Sequence, residues 1–231
     1  MVSLRPTSFP ALLVAVALCA GVVSDAAAQR GDDLGRIRVA RLHYAGGGDW
    51  YANPSSLPNL HAGLARRAGI PTVERDLALQ LDDERLYRYP LLYATGHGIM
   101  RPSAADVQRL RRYLDAGGFL WVDDNYGIDE SFRALVADLY PDAELVPVGS
   151  EHPIYSSYYR LDGLPKIHEH DGDPAQGFAV FHEGRMVIFY SWSSDVGDGL
   201  EDPAVHGNPP EAREAALRMA VNVVVFALTQ P

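Results

Sequence analysis

The sequence predicts a three-layer α/β sandwich: a mostly parallel, flavodoxin-like sheet with helices on both faces and an antiparallel extension near the C-terminus. Three observations predict it. Short apolar runs alternate with stretches whose apolar residues recur at helical spacing, the order that builds parallel sheets. Phe119-Leu120-Trp121-Val122 is wholly apolar, as a central strand covered on both faces must be. The runs 177–182 and 185–192 are separated only by Glu183-Gly184, a spacing that joins antiparallel strands in a hairpin.

The elements follow in order. Residues 37–44 begin with the β-branched Ile37 and Val39 and predict a first strand, ended by Gly46-Gly47-Gly48. Leu57, Leu60, Leu64 and Ala68 predict a helix, with Pro58 in its first turn, Arg66 and Arg67 in its last, and Gly69 as its stop. Thr72-Val73-Glu74 is expected to begin a second strand, and Pro90 precedes a third at 91–95. Ser103 and Asp106 resemble a capping box, Val107, Leu110 and Leu114 form the inward stripe of that helix, and Gly117-Gly118 closes it. Residues 128–140 predict another helix, with Phe132, Leu135, Val136 and Leu139 facing in. A final helix, from about 211 to 228, turns almost entirely apolar after Leu217. That run is too short to span a bilayer and is expected to pack under the sheet.

Residues 1–28 read as a cleaved signal peptide, with Arg5 as the positive start, an apolar stretch at 9–23 and the small residues Ala26-Ala27-Ala28 at the exit. The stretch falls short of the ~20 residues that a spanning helix needs. Its alternatives are a retained anchor, against which the alanine-rich exit speaks, and lipoprotein processing at Cys19, against which Leu18 speaks. Cleavage leaves a single α/β domain, 29–231, in the periplasm or outside the cell. It also removes Cys19, the only cysteine, and with it every disulfide, thiolate nucleophile and thiolate metal ligand. No membrane span then remains. With 20 basic residues against 30 acidic ones, net −10, the chain lacks the basic stripe that nucleic acid binding needs. Lys166 is the single lysine.

Ligands of open parallel sheets bind beyond the carboxyl ends of the strands, so the loops there carry the candidate residues. They are Gly47, Gly48, Asp49, Trp50 and Tyr51 after the first strand, and His97 between Gly96 and Gly98 after the third. Asp123, Asp124 and Asn125 follow the strand at 119–122, and Ser191 to Asp195 follow the last. If the strands are parallel neighbours, Asp49, His97 and Asp124 share one crevice, and Asp195 joins them only if its own strand also runs parallel. The plainer readings are a tight turn for the glycines and a helix cap for Asp123-Asp124. Trp50 and Tyr51 are either core residues at the loop edge or a stacking platform. His168-Glu169-His170-Asp171-Gly172-Asp173 offers metal-ligating side chains, with His168 and His170 on one face of an extended chain, but its composition favours a solvated loop. The aromatic stretch from Glu151 to Tyr159 is expected to fold as a lid, with His152 and Tyr158 pointing into the crevice, or to pack as a satellite cluster.

Several of these segments together resemble a known family. Arg41-Leu42-His43-Tyr44 running into Gly47-Gly48-Asp49-Trp50-Tyr51, then Tyr93-Ala94-Thr95-Gly96-His97, Gly117-Gly118-Phe119-Leu120 into Asp123-Asp124, and His152-Pro153-Ile154-Tyr155 are similar to the bacterial domain-of-unknown-function 4159 family. Residues 185–190, Asp195 and the helix holding Asn222 fit the same pattern. The resemblance implies a fold like that of class I glutamine amidotransferases and trehalose-utilisation-type domains, and it carries no activity or catalytic residues. Those amidotransferases place a cysteine in a Gly-x-Cys-x-Gly turn after a central strand. Here the corresponding strand ends offer Gly96-His97-Gly98 or Asp123-Asp124-Asn125, so thioester chemistry is not expected.

Three functions compete. The first is a non-catalytic module that binds a small molecule or an envelope protein in its crevice, with no cofactor. The second is a hydrolase, with Asp124 as base and His97 orienting or donating a proton. In its metal-assisted form, Asp123, Asp124, His97 and His152 hold a divalent cation. The third is an envelope-glycan binder that stacks a sugar on Trp50, Tyr51 or Trp192.

Overall fold

A computed structural model describes residues 35–231; the expected signal peptide lies outside them. The chain forms β1 (Ala40–Leu42), α1 (Ser56–Gly63), β2 (Ala78–Leu79), β3 (Leu91–Gly96), α2 (Ala104–Asp115), β4 (Phe119–Asp124) and α3 (Asp129–Leu139). There follow β5 (Val146–Pro147), β6 (Gln176–His182), β7 (Arg185–Trp192), the short helices α4 (Val196–Leu200) and α5 (Pro203–His206), and α6 (Pro210–Thr229). The seven strands lie in the order β2-β1-β3-β4-β7-β6-β5. From β2 to β7 all pairs are parallel, whereas β6 runs antiparallel to β7 and β5 antiparallel to β6. This is the expected sandwich. Because β7 is parallel to β4, its end opens on the same side as the ends of β3 and β4.

Alternation along β4 builds the two cores. Leu120 and Val122 face the core under α2 and α3, and Phe119 and Trp121 face the core under α1 and α6. Every residue of β3 and β4 is buried. Local chemistry sets the boundaries. Ser103 Oγ accepts the Asp106 N–H at the start of α2, and a Cβ at Gly118 would collide with the Tyr113 ring. Glu183 and Gly184 both take positive φ, as a tight hairpin turn requires. Among the described residues, no helix is long and apolar enough to cross a membrane.

The first strand is shorter than expected. Of residues 37–44, only Ala40–Leu42 pair as a strand, and Ile37 makes one isolated bridge to Thr72. The second strand starts not at Thr72-Val73-Glu74 but at Ala78. The chain between is held by side chains instead. Arg41, 2% exposed, binds Asp76 Oδ2 at 3.0 Å and donates to the carbonyls of Ala52 and Asn53. This buried strand residue thus ties down the loop that follows its own strand.

His61 of α1 is fully buried, and its Nε2 accepts the Val39 N–H at 3.0 Å. Burial pulls its pKa down to about 4. The unfolded chain, with an ordinary imidazole, therefore takes up a proton first, so the His61 contribution is intact above pH 6.5 and is lost as the pH falls towards 4. Relative to His61→Gln, the wild type should lose about 3 kcal/mol between pH 7 and pH 4. Urea unfolding of both proteins across that range measures it; parallel profiles would rule it out.

Candidate functional site

The order β2-β1-β3-β4 reverses its winding between β1 and β3, and open α/β sheets bind their ligands at such a switch point. The loops after these two strands meet there. The N–H of Asp49 donates to the His97 carbonyl at 3.1 Å, that of Gly48 to Ile99 at 3.0 Å, and that of Arg101 to Ala45 at 2.6 Å. Glycine makes this approach possible. A Cβ at Gly46 would lie 2.4 Å from the Arg101 nitrogen, and one at Gly96 would lie 2.7 Å from Asp49. Gly47, at a φ of 96°, and Gly48, where a Cβ would lie 2.8 Å from the His97 carbonyl oxygen, belong to the same tight turn.

Asp49 closes the junction. One carboxylate oxygen accepts the His97 N–H, and Oδ2 lies 3.0 Å from His97 Nδ1. Gly96 and Gly98, both at positive φ, hold His97 outward, and its side chain is 54% exposed. With Nδ1 anchored by the carboxylate, Nε2 is the ring nitrogen left for another partner.

The carboxylates after β4 are differently employed. Asp123 is fully buried and accepts from Ser191 Oγ at 2.5 Å, from the N–H groups of Gly197 at 2.6 Å and Val196 at 3.2 Å, and from Tyr93 OH at 3.4 Å. Desolvation still pushes its pKa up to about 7. Asp124 accepts from Tyr126 N at 3.0 Å, Ile128 N at 3.5 Å and Tyr190 OH at 3.0 Å, and burial also raises its pKa. It caps the turn into α3 and is not paired with His97, so the expected Asp124–His97 pair is not formed. Asn125 accepts from Thr95 Oγ1 at 2.7 Å and donates to Asp198 Oδ1 at 3.3 Å.

Beyond β7, Asp195 is fully buried at a left-handed φ of 59°. Its Oδ2 lies 2.5 Å from His170 Nε2, whereas Oδ1 has no partner. Burial, joined by the charges of Asp123, Asp198 and Asp124, pushes its carboxyl up to about 9. The His170 ring stacks on Tyr126 at 5.0 Å and meets the His168 ring at 4.7 Å, tilted by 46°, and burial lowers its pKa. The composition of 168–173 favoured a solvated loop. Glu169 and Asp171 do close local turns, but His170 is drawn in to the crevice. Asp198, with His206 Nε2 at 3.4 Å from its Oδ1, completes the cluster.

Other candidates lie elsewhere. Trp50 stacks on His43 at 3.9 Å and packs against the core, leaving Tyr51, 63% exposed, on the rim. Trp192 packs against Phe178. The aromatic stretch is a satellite cluster rather than a lid. His152 caps the turn at Pro153–Tyr155 and packs on Phe226 of α6. Tyr158 and Tyr159 donate their N–H groups to the buried Asn222 of α6, and the Tyr158 hydroxyl bonds the Arg67 carbonyl. Since His152 is held against α6, it cannot join Asp123, Asp124 and His97 around one cation. Among the described residues, no group of three or more His, Cys, Asp or Glu side chains is placed to hold a metal ion.

Sheet order and layers define an α/β sandwich, with a cluster of polar side chains at the strand ends beside the switch point. The chain belongs to the family described as domain of unknown function (DUF4159), whose model matches residues 38–228. No curated protein shows significant similarity to it.

Proposed function

We propose that this chain is a ligand-binding module, exported to the periplasm or beyond, whose crevice over the ends of β1, β3, β4 and β7 takes a small polar molecule without a cofactor. The Asp49–His97 pair carries the reading. It sits at the switch point, is built by glycines that allow two loops to touch, and presents an open imidazole nitrogen to solvent. The exposed rings of Tyr51 and Tyr126 give the rim stacking surface, which suits an envelope glycan or a cyclic metabolite. Among the described residues, the hydroxyls at the strand ends bond to carbonyls, carboxyls, Asn125, Lys166 or the Trp121 indole rather than to an imidazole. That arrangement favours binding over nucleophilic catalysis.

One observation favours a second reading, hydrolysis of a bound molecule by activated water. A carboxylate that orients an imidazole is the usual general-base arrangement, and it assigns the base to His97 and the orienting role to Asp49, in place of Asp124.

Thermal shift against sugars, amines, organic acids and divalent cations, with chelator controls, tests both. A ligand at 100 times its Kd stabilises by ~2.7 kcal/mol, or about 5–10 °C. His97→Ala should melt within a few degrees of wild type, because the ring is exposed, and should lose the shift. Product formed over time and lost in His97→Ala would favour the hydrolase. A shift that survives in both His97→Ala and Asp49→Asn would move the site elsewhere.

A further inference from the structure

Resting on the reading of the crevice as a ligand site, we propose that Asp195 is the recognition carboxylate for an organic cation, an ammonium or guanidinium group, and that His170 occupies its place when the crevice is empty. The first observation is the unpartnered oxygen. Asp195 is fully buried with Oδ1 unbonded, a condition that buried polar atoms rarely keep. The second is the crowding of carboxylates around it. Asp123 and Asp124 from β4 and Asp198 from α4 all act on Asp195. Against them stand His170, His168, His97 and His206, together with Lys166. The lysine is held on the Asp173 carbonyl and Ser193 Oγ, 2.8 Å from each. A ligand N–H would satisfy Oδ1, and its charge would offset the carboxylates as no neutral or anionic group could.

The third observation is the wall behind His170. Tyr126 holds its ring over the imidazole from a backbone φ of 115° and is half exposed. When His170 leaves, that ring face is free to stack on the incoming cation. The segment that carries His170 is otherwise tied by Lys166 and by main-chain bonds from Ile167 and His168 to the Ser194 carbonyl, so a local swing suffices. Asp195 holds its proton at neutral pH, and a bound cation requires the carboxylate. Binding therefore releases a proton to the buffer, and affinity rises by up to tenfold per pH unit towards about pH 9.

The test is calorimetric titration of the chain with agmatine and with butylammonium, beside 1-butanol and glucose, at pH 6.5, 7.5 and 8.5. The expected result is binding of the cations with proton release and rising affinity, loss of at least tenfold in Asp195→Asn, and tighter binding in His170→Ala. Cations that bind equally in Asp195→Asn, or do not bind at all, overturn the inference. Should glucose or 1-butanol bind through His97 while the cations fail, the crevice reading stands and the cation assignment alone is lost. Should no compound bind at the crevice, both fall.

Discussion

Asp123→Ala is expected to destabilise the chain by about 4 kcal/mol, lowering the melting midpoint by roughly 8–16 °C. The fully buried carboxylate is the shared acceptor of four donors: Ser191 Oγ, Tyr93 OH and the N–H groups of Val196 and Gly197. Removing it leaves the buried N–H groups of Val196 and Gly197 without a partner and takes one acceptor from Ser191, whose Oγ keeps only the Val122 carbonyl; together this costs far more than one ordinary hydrogen bond. Asp123→Asn keeps one acceptor oxygen but turns an amide towards donors, so about half the loss is expected. Urea and thermal unfolding measure both variants. A loss below 1 kcal/mol for the alanine variant would mean that Asp123 does not hold the loop after β7.

Asp195→Asn is expected to act in the opposite sense. The folded carboxyl, held at about 9, lies far above the ordinary value of an unfolded aspartate. Its contribution is fully present below about pH 4 and is lost as the pH rises towards 9. At pH 8 the wild type therefore carries a burial penalty that the neutral amide removes, while the amide oxygen can still accept from His170. Linkage between the two pKa values sets a gain of about 5 kcal/mol at pH 8, shrinking to nothing at pH 4. A residue that lowers the stability of its own fold is better explained by function than by folding. Equal stability of wild type and variant at pH 8 would remove that argument.

The contrast between these two aspartates separates what the sequence discloses from what it does not. Strand runs and capping signals are local, so the sandwich, the capped α2 and the hairpin at Glu183-Gly184 could be read directly. The loops at the carboxyl ends of the strands were legible for the same reason. Which of their side chains are free was not, because partners come from distant elements. Asp124 is occupied by Tyr190, and Asp49 rather than Asp124 reaches His97. The lid expectation failed because Asn222, more than sixty residues on, holds Tyr158 and Tyr159 against α6. Arg41 and Asp198 were missed altogether. An arginine in a predicted strand was a usable signal for the first; only the three-residue spacing from Asp195 hinted at the second. His170 was seen but assigned to solvent, since composition cannot reveal that Asp195 faces it.

The most direct test of the crevice as the functional site is imidazole 15N NMR during titration with a ligand that stabilises the chain. Signals of His97 and His170 should move together with a single affinity, while His61, His152 and His182 stay in place. A ligand that stabilises the chain yet leaves His97 and His170 unmoved would contradict the account.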